Sequence, residues 1–168
     1  MSNIDLFRKF SIFKDLTREQ IEKVARLFSY RKYSEGEIIF KEGDRGDSLF
    51  ILLEGEVEIT KALTLMLRRS DLDTREKSFI RLNSDSHSFF GEMVFFEDNH
   101  ERSATVKATK KCSMAVLKKD DFLRIGEEDP VIGFKLVKNI ATVLADRLRK
   151  TNRDVLKLTT AFSLAMER

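Results

Sequence analysis

The sequence predicts a mainly β domain, a sandwich or a barrel, with flanking helices and one long helix at its C-terminal end. Short apolar runs at 38–40 and 49–53 alternate with tight turns, and four of the seven glycines lie between Gly36 and Gly55. Many short strands with tight turns favour a sandwich or barrel over alternating strand and helix units. A stripe of apolar residues at helical spacing follows Pro130 and predicts the long helix.

The composition is that of a globular chain of one domain, or of one domain with an appendage. The 168 residues are 42% hydrophobic and 35% charged, with a net charge of +3. Basic residues are interspersed with acids, which indicates a solvated surface rather than a nucleic-acid stripe. There is no apolar run of membrane-spanning length and no signal peptide, so we predict a cytoplasmic protein without a membrane partner.

The N-terminal part is expected to pack as short helices on the core. Residues 6–16 predict a short helix and a turn. Thr17 and Gln20 have the spacing of a capping box, and the helix that follows them turns Ile21 and Val24 to one side. The aromatic and aliphatic residues expected to face the core are Phe7, Phe10, Ile12 and Phe13.

The middle of the chain predicts strands joined by turns. We expect strands at 57–60, 62–67 and 78–82, with the polar connection 68–77 as a protruding, mobile hairpin of no assignable function. Asp44 and Asp47 are predicted to be turn residues that bond their own backbone, rather than calcium ligands.

After the middle strands the pattern returns to two strands and a helix. The strands are predicted at 105–108 and 112–117, and Cys112 in the second of them is expected to be a buried small hydrophobe. As the single cysteine it excludes an intramolecular disulfide. A helix is predicted to begin at Asp120 and to end near Gly126.

The last helix is predicted to begin at Pro130 and to run nearly to Arg168, because no proline interrupts it. Its apolar positions follow spacings of three and four, as in a heptad seam, which predicts a homodimer through residues 130–168 beside a domain at 1–129. The alternative is that the first half of this stripe packs back onto the barrel. The seam consists of Phe134, Val137, Ala141, Leu144, Leu148, Thr151, Val155, Leu158, Phe162 and Ala165.

The stretch 89–108 carries the candidate binding chemistry. Gly91 permits a close approach of backbone to a ligand, and a short helix beginning at Glu92 would aim its free N–H groups at an anion. Arg102 offers a planar donor fork that suits phosphate, while a carboxylate can accept from sugar hydroxyls. Together these groups predict a pocket for a phosphate and a ribose.

Two sequence segments also resemble a known family. Gly91-Glu92-Met93-Val94-Phe95 and Arg102-Ser103-Ala104-Thr105 resemble the phosphate-binding cassette of the cyclic nucleotide-binding domain, as found in catabolite activator proteins and in regulatory subunits of cyclic-AMP-dependent kinases. The resemblance implies a double-stranded β-helix (jelly-roll barrel) with short N-terminal helices and a long C-terminal dimerisation helix. Val94 stands where the family usually has alanine or glycine, which would crowd the site.

The resemblance also implies roles for single residues. Glu92 would accept a hydrogen bond from the ribose 2′-hydroxyl, and Arg102 would clamp the cyclic phosphate with help from Ser103. Thr151, after an Arg-Leu step, would reach the adenine amino group together with Asn152; the alternative is that Thr151 only fixes helix register. The complete set of expected ligand-binding residues is Phe90, Gly91, Glu92, Met93, Val94, Arg102, Ser103, Ala104, Thr151 and Asn152.

The function implied is a cyclic nucleotide sensor, binding cyclic AMP or cyclic GMP, and not an enzyme. Ligand would close the cassette against the barrel. The resulting change in dimer geometry would then signal to a partner. The family's helix-turn-helix would follow the long helix, so we expect no direct DNA binding by these residues, whether the chain is a stand-alone sensor or a fragment of a longer protein. The first alternative is a dimeric interaction module of the same fold with a non-binding pocket, in which Arg102 pairs with Glu92 or Glu101.

A metal-dependent enzyme on a similar barrel is the second alternative. It needs two or three histidines and a carboxylate, whereas the chain has only His87 and His100. We therefore predict no metal and no catalytic residues. His100 is expected to be a solvated loop residue. For His87, a role as haem ligand, as in gas-sensing relatives, is kept as an alternative.

Overall fold

The structure, a computed structural model of the chain, describes residues 3–62, 65–66, 72–73 and 76–166. The helices are α1 (Asn3–Phe7), α2 (Arg18–Ala25), α3 (Lys119–Glu128) and α4 (Pro130–Met166), with 3-10 segments at Ser11–Phe13, Ser84–Ser86 and Glu92–Phe95. The strands are β1 (Ser29–Tyr33), β2 (Ile38–Phe40), β3 (Ser48–Glu54), β4 (Glu56–Ala62), β5 (Leu65–Met66), β6 (Leu72–Asp73), β7 (Glu76–Asn83), β8 (Phe89–Phe90), β9 (Thr105–Ala108) and β10 (Cys112–Lys118).

Eight of these strands form two antiparallel four-stranded sheets, in the orders β1-β10-β3-β8 and β2-β9-β4-β7. Neighbours in the sheets are mostly distant in sequence, which is the arrangement of a jelly roll rather than of a meander. The jelly-roll barrel with a long C-terminal helix, expected from the resemblance, is confirmed.

Strand β3 separates two hydrophobic cores because both of its faces are buried. Phe50 and Leu52 point between the two sheets, while Leu49 and Ile51 point to the helices on the other side, as the alternation of side chains along a strand requires. The polar turn before β3 and the short strand β8, which pairs with β3, therefore adjoin a packed core on each side. The candidate site is built on these two elements.

The N-terminal helices pack on the core as predicted. Thr17 Oγ1 accepts from the Gln20 N–H at 3.3 Å and Gln20 Oε1 accepts from the Thr17 N–H at 3.0 Å, so the predicted capping box is confirmed. The buried residues of this part are Phe7, Phe10, Ile12, Phe13, Leu16, Ile21 and Val24.

Helix α4 is attached to the barrel by the first part of its length. Ile132, Leu136 and Ile140 are fully buried against the core. The buried Asn139 side chain donates to Ile12 O at 2.9 Å and to Lys14 O at 2.8 Å, which satisfies two carbonyls of the N-terminal turn. The helix therefore does pack back onto the barrel, but mainly through a stripe other than the predicted heptad seam.

The heptad seam itself is largely exposed in the single chain. Phe134, Leu158 and Phe162 keep 70%, 71% and 67% of their surface exposed, and Leu144 is the seam residue that also packs against the core. A soluble helix that exposes such a stripe is expected to bury it against another surface. The homodimer thus stays a prediction that this helix supports.

Several predicted boundaries differ from the observed ones. The helix predicted from Asp120 to about Gly126 extends from Lys119 to Glu128, and the strand predicted at 78–82 is the longer β7. The predicted connection 68–77 falls largely outside the described residues, although the two short strands β5 and β6 pair with each other. No described helix combines the length and the apolar character that a membrane span requires.

Candidate functional site

A tight turn at Gly91 brings β8 into contact with the start of a short helix. Gly91 has a φ of 79°, in the left-handed region that favours glycine, and it caps the 3-10 helix Glu92–Phe95. A Cβ at this position would lie 2.8 Å from Nη1 of Arg102 and 3.1 Å from Ser48 O. Glycine is therefore required both by the backbone angle and by the close packing of Arg102. We call residues 89–104 the cassette.

Among the residues that the structure describes, no carboxylate forms a direct ion pair with the buried Arg102 guanidinium. The residue keeps 5% of its surface exposed, and Nη1 donates to Ser48 O at 2.8 Å and to Gly91 O at 3.2 Å. Its Cζ lies 4.2 Å from the centre of the Phe40 ring, a cation–π contact. Nε is a buried donor with no hydrogen-bond partner among the described residues.

Burial lowers the pKa of the Arg102 guanidinium from its ordinary value, against the opposing effect of the acids around it, Asp47 first. Arginine nevertheless remains a cation in a protein. A buried cation with an unused donor is costly unless an acceptor or an anion joins it. The arrangement therefore suits an anion beside the guanidinium.

Glu92 is buried as well, and its partner comes from the long helix. Arg147 Nη1 donates to Glu92 Oε1 at 2.5 Å and Arg147 Nη2 donates to Phe89 O at 2.6 Å. Glu92 therefore pairs with Arg147, and not with Arg102 as in the alternative of a non-binding pocket. Arg147 was not among the predicted site residues. A buried acid usually needs a cation as its partner. The signal that could have identified this cation is the Arg-Leu step, which begins at Arg147.

These side chains surround a cavity of about 160 Å³ between the cassette, the sheet β2-β9-β4-β7 and α4. Eight of the ten predicted binding residues line it, and four lining residues were not predicted. The predicted ones are Phe90, Gly91, Glu92, Met93, Val94, Arg102, Ser103 and Ala104; the others are Phe40, Ile59, Val106 and Arg147. Thr151 and Asn152 are exposed on α4 outside this cavity, and Thr151 Oγ1 donates to Arg147 O of its own helix.

The glycine-rich turn 41–47 holds the chain around Arg102 in place. Gly43 N donates to Arg102 O at 2.9 Å, and Arg102 N donates to Asp44 O at 2.8 Å. Asp44 Oδ2 accepts from Lys41 N at 2.9 Å, so its predicted turn role is confirmed. The turn thereby fixes the backbone that carries the guanidinium.

Gly46 in this turn lies directly against the guanidinium, so a Gly46→Ala substitution is expected to lower ligand affinity at least about tenfold. A Cβ there would lie 2.1 Å from Nε and 2.4 Å from Cζ of Arg102, which forces the guanidinium to move, although the backbone of Gly46 is not left-handed. Calorimetric titration with cyclic AMP measures the change.

Gly36→Ala is the matched control for Gly46→Ala. Gly36 has a φ of 85° and lies outside the glycine-rich turn, and a Cβ there would meet no atom within 4 Å. This variant should cost about 1–2 kcal/mol of folding stability through its backbone angle and keep its affinity within threefold. Parental affinity in Gly46→Ala would show that the position of the guanidinium does not matter for binding.

The two histidines and the cysteine form no metal cluster with acids among the described residues. His87 contacts the Phe10 ring edge-on, at 5.3 Å between ring centres. Cys112 is buried as predicted, and burial raises the pKa of its thiol. His100 is not the freely solvated loop residue that was expected, since its ring is half-buried beside Val94 O and Lys119.

Comparison with known proteins agrees with this geometry. A family model described as "Cyclic nucleotide-binding domain" matches residues 30–129. The chain is 33% identical over 140 residues to the cAMP-activated global transcriptional regulator Vfr of Pseudomonas aeruginosa, covering 82% of this chain and 59% of that protein. It is 28% identical over 144 residues to the Cyclic AMP receptor protein of Thermus thermophilus, covering 86% of this chain and 60% of that protein.

A solved structure shows the same fold. The Thermus thermophilus Catabolite Activator Protein superposes with a TM-score of 0.72 at 27% identity, over 89% of this chain and 63% of that chain. The chain thus spans about three fifths of the length of these relatives. The matched residues 30–129 include the glycine-rich turn, Glu92 and Arg102, and the chain belongs to the cyclic nucleotide-binding domain family.

Proposed function

We propose that this regulatory domain binds cyclic AMP in the cavity between the cassette and α4, and that binding changes the geometry of a homodimer formed through α4. The observation that carries the proposal is the buried Arg102 guanidinium, which lines the cavity and, within the described residues, has no carboxylate in a direct ion pair. A cyclic phosphodiester is an anion that this fork can bind through two parallel hydrogen bonds.

Glu92 supports the ribose part of the proposal. Its buried carboxylate lines the same cavity as Arg102 and can accept from a hydroxyl as well as from Arg147. A cavity that takes up a drug-sized ligand usually has about 300–1,000 Å³, whereas this one has about 160 Å³. The ligand therefore has to widen the space between the cassette and α4, which differs from the simple closure of the cassette that the resemblance implies.

Arg147 would transmit this widening to the long helix. It joins Glu92 and Phe89 O to α4, so a ligand that spreads the cavity displaces the helix or rearranges this ion pair. The exposed seam on the same helix would pass the change to a second copy. A ligand shifts such an equilibrium only by its different affinity for the two dimer geometries.

Thr151 and Asn152 remain candidates for base contact in the dimer. They lie about one turn beyond Arg147 on the exposed surface of α4, so within one chain they do not line the cavity. Thr151 lies on the seam, where two helices would meet. Its place there also supports the alternative role of fixing helix register.

We assign cyclic AMP rather than cyclic GMP because the two relatives compared above, which match more than four fifths of this chain, have names that refer to cyclic AMP. A dimeric module with a non-binding pocket is the competing proposal, and a cytoplasmic location and the lack of enzymatic activity stay predictions.

Mass spectrometry of nucleotide retained through native purification identifies the ligand directly. Retained cyclic AMP supports the proposal, and retained cyclic GMP would change the assigned ligand.

Binding of 2′-deoxy cyclic AMP tests the role of Glu92. Since a hydrogen bond to a charged group contributes about 1.5–3 kcal/mol, the deoxy analogue should bind roughly 10- to 150-fold more weakly than cyclic AMP. Competition calorimetry gives this ratio. In Glu92→Leu, which removes the acceptor, the ratio should shrink to within about threefold, and equal binding of the two nucleotides by the parent would contradict a ribose contact at Glu92.

A further inference from the structure

We propose that three phenylalanines, Phe40, Phe50 and Phe90, act as positioning residues for Arg102. The ring of Phe40, supported by the other two, holds the guanidinium in the place where a counter-ion would otherwise be needed and leaves donors for an anionic ligand. We call these three residues the aromatic platform. The proposal rests on the proposed function for its affinity readout, whereas the contact between ring and guanidinium is present in the chain without ligand.

The aromatic platform is assembled from both sheets of the barrel. Phe40 lies on β2, whereas Phe50 and Phe90 are cross-strand partners on β3 and β8. The rings of this pair stack with their centres 5.4 Å apart and 6° between their planes. The Phe40 ring is tilted against them, with its centre 5.6 Å from that of Phe50 and 6.1 Å from that of Phe90. Because both members of the pair are buried in a packed core, they give the Phe40 ring a fixed support.

The Arg102 guanidinium lies over this platform. Its Cζ is 4.2 Å from the centre of the Phe40 ring and 5.5 Å from the centre of the Phe50 ring. A cation within about 6 Å of a ring centre is attracted by the negative face of the ring, and the attraction is larger where water is excluded. Since Arg102 is buried, its contact with the platform is of this stronger kind.

Rings suit a binding site better than a carboxylate as partners of this cation. A buried charge usually has to be paired, but a carboxylate would bind the guanidinium fork through the same two donors that a phosphate uses. A ring face attracts the charge without accepting either of these hydrogen bonds. The protein itself accepts at Nη1, through Ser48 O and Gly91 O. The platform therefore stabilises the cation in a way that is compatible with an anionic ligand.

Phe40→Leu is expected to weaken binding of cyclic AMP roughly 3- to 30-fold, the size of a desolvated cation–π contact. Leucine keeps an apolar side chain on β2 but offers no ring face, so the guanidinium gains orientations that do not bind phosphate. The apparent affinity then falls with the fraction of chains in the competent orientation. Calorimetric titration of the full chain with cyclic AMP measures the change.

Two further variants assign this loss to the ring. Phe40→Tyr keeps the ring and should bind cyclic AMP more tightly than Phe40→Leu. Phe28→Leu removes a phenylalanine from the other core, where it stacks on Phe7 at 5.3 Å, and should bind within threefold of the parent. Binding by Phe40→Leu within twofold of the parent, or a Phe40→Tyr chain that binds no better than Phe40→Leu, would overturn the proposal.

Unfolding of the ligand-free chain by denaturant separates the platform from a direct contact between Phe40 and the nucleotide. Phe40→Leu should destabilise the parent more than it destabilises Arg102→Leu, because the second background has no cation over the ring. The expected difference is about 2- to 30-fold in the equilibrium constant for unfolding. Equal destabilisation in the two backgrounds would overturn the proposal while leaving nucleotide binding intact. If the difference is present but the parent binds no cyclic nucleotide, the proposed function fails and the role of the platform at Arg102 stands.

Discussion

Replacing Arg102 by alanine is expected to weaken cyclic AMP binding by about 2–5 kcal/mol, roughly 30- to 5,000-fold. The Arg102 guanidinium is a buried cation that lines the cavity and forms no direct ion pair with a carboxylate in the described part of the chain, so its loss deprives the ligand phosphate of its main counter-charge. Calorimetric titration of the parent and of the variant gives the difference. Binding by Arg102→Ala within threefold of the parent would show that this arginine is not the clamp.

Arg102→Lys is the matched control because it keeps the positive charge and removes the planar fork. We expect it to recover only part of the lost affinity, since an ammonium cannot make the contacts to Ser48 O and Gly91 O and also bind phosphate through two donors. Thermal unfolding without ligand shows whether the variants fold. Full recovery in Arg102→Lys would mean that charge alone, and not the fork, binds the anion.

A Leu158→Glu substitution in the seam is expected to convert a dimer to a monomer. Leu158 is 71% exposed in the single chain and lies beside Phe162 on the projecting half of α4. Loss of a buried leucine on both copies costs about 3–6 kcal/mol of association free energy, which raises the dimer dissociation constant more than about 100-fold. Light scattering should give twice the chain mass of 19.5 kDa for the parent and the chain mass for the variant.

Lys157→Glu is the control for the seam substitution. Lys157 is the exposed neighbour of Leu158 but lies off the seam. The glutamate of Lys157→Glu would therefore stay exposed in the dimer instead of being buried between the helices. This variant should remain dimeric. A parent that is monomeric at tens of micromolar, or a Leu158→Glu chain that remains dimeric, would contradict a dimer through this helix.

The cassette could be predicted from the sequence because its chemistry is local. Gly91, Glu92 and Arg102 lie within one short stretch, and the short helix predicted to begin at Glu92 is found there. The alternation of short strands and glycine turns likewise predicted a sandwich or barrel, and the resemblance narrowed this to the jelly roll. The heptad spacing predicted α4, since its period does not depend on what the helix contacts.

The partners of the cassette could not be predicted because they come from distant parts of the chain. Arg147 reaches Glu92 across 55 residues, and Phe40 lies under Arg102 from another strand. The Arg-Leu step marks the position of Arg147 in α4 but does not predict its contact with Glu92, because that contact depends on the angle at which the helix leaves the barrel. The buried stripe of Ile132, Leu136 and Ile140 was also not predicted, because the seam beside it has the more regular heptad spacing.

Calorimetric titration of the full chain with cyclic AMP decides whether the cavity binds a cyclic nucleotide. We expect binding at micromolar strength or better, with one nucleotide per chain, and its loss in Arg102→Ala. No heat of binding and no thermal shift at millimolar cyclic AMP would contradict it, and the domain would then be a member of its family with a non-binding pocket.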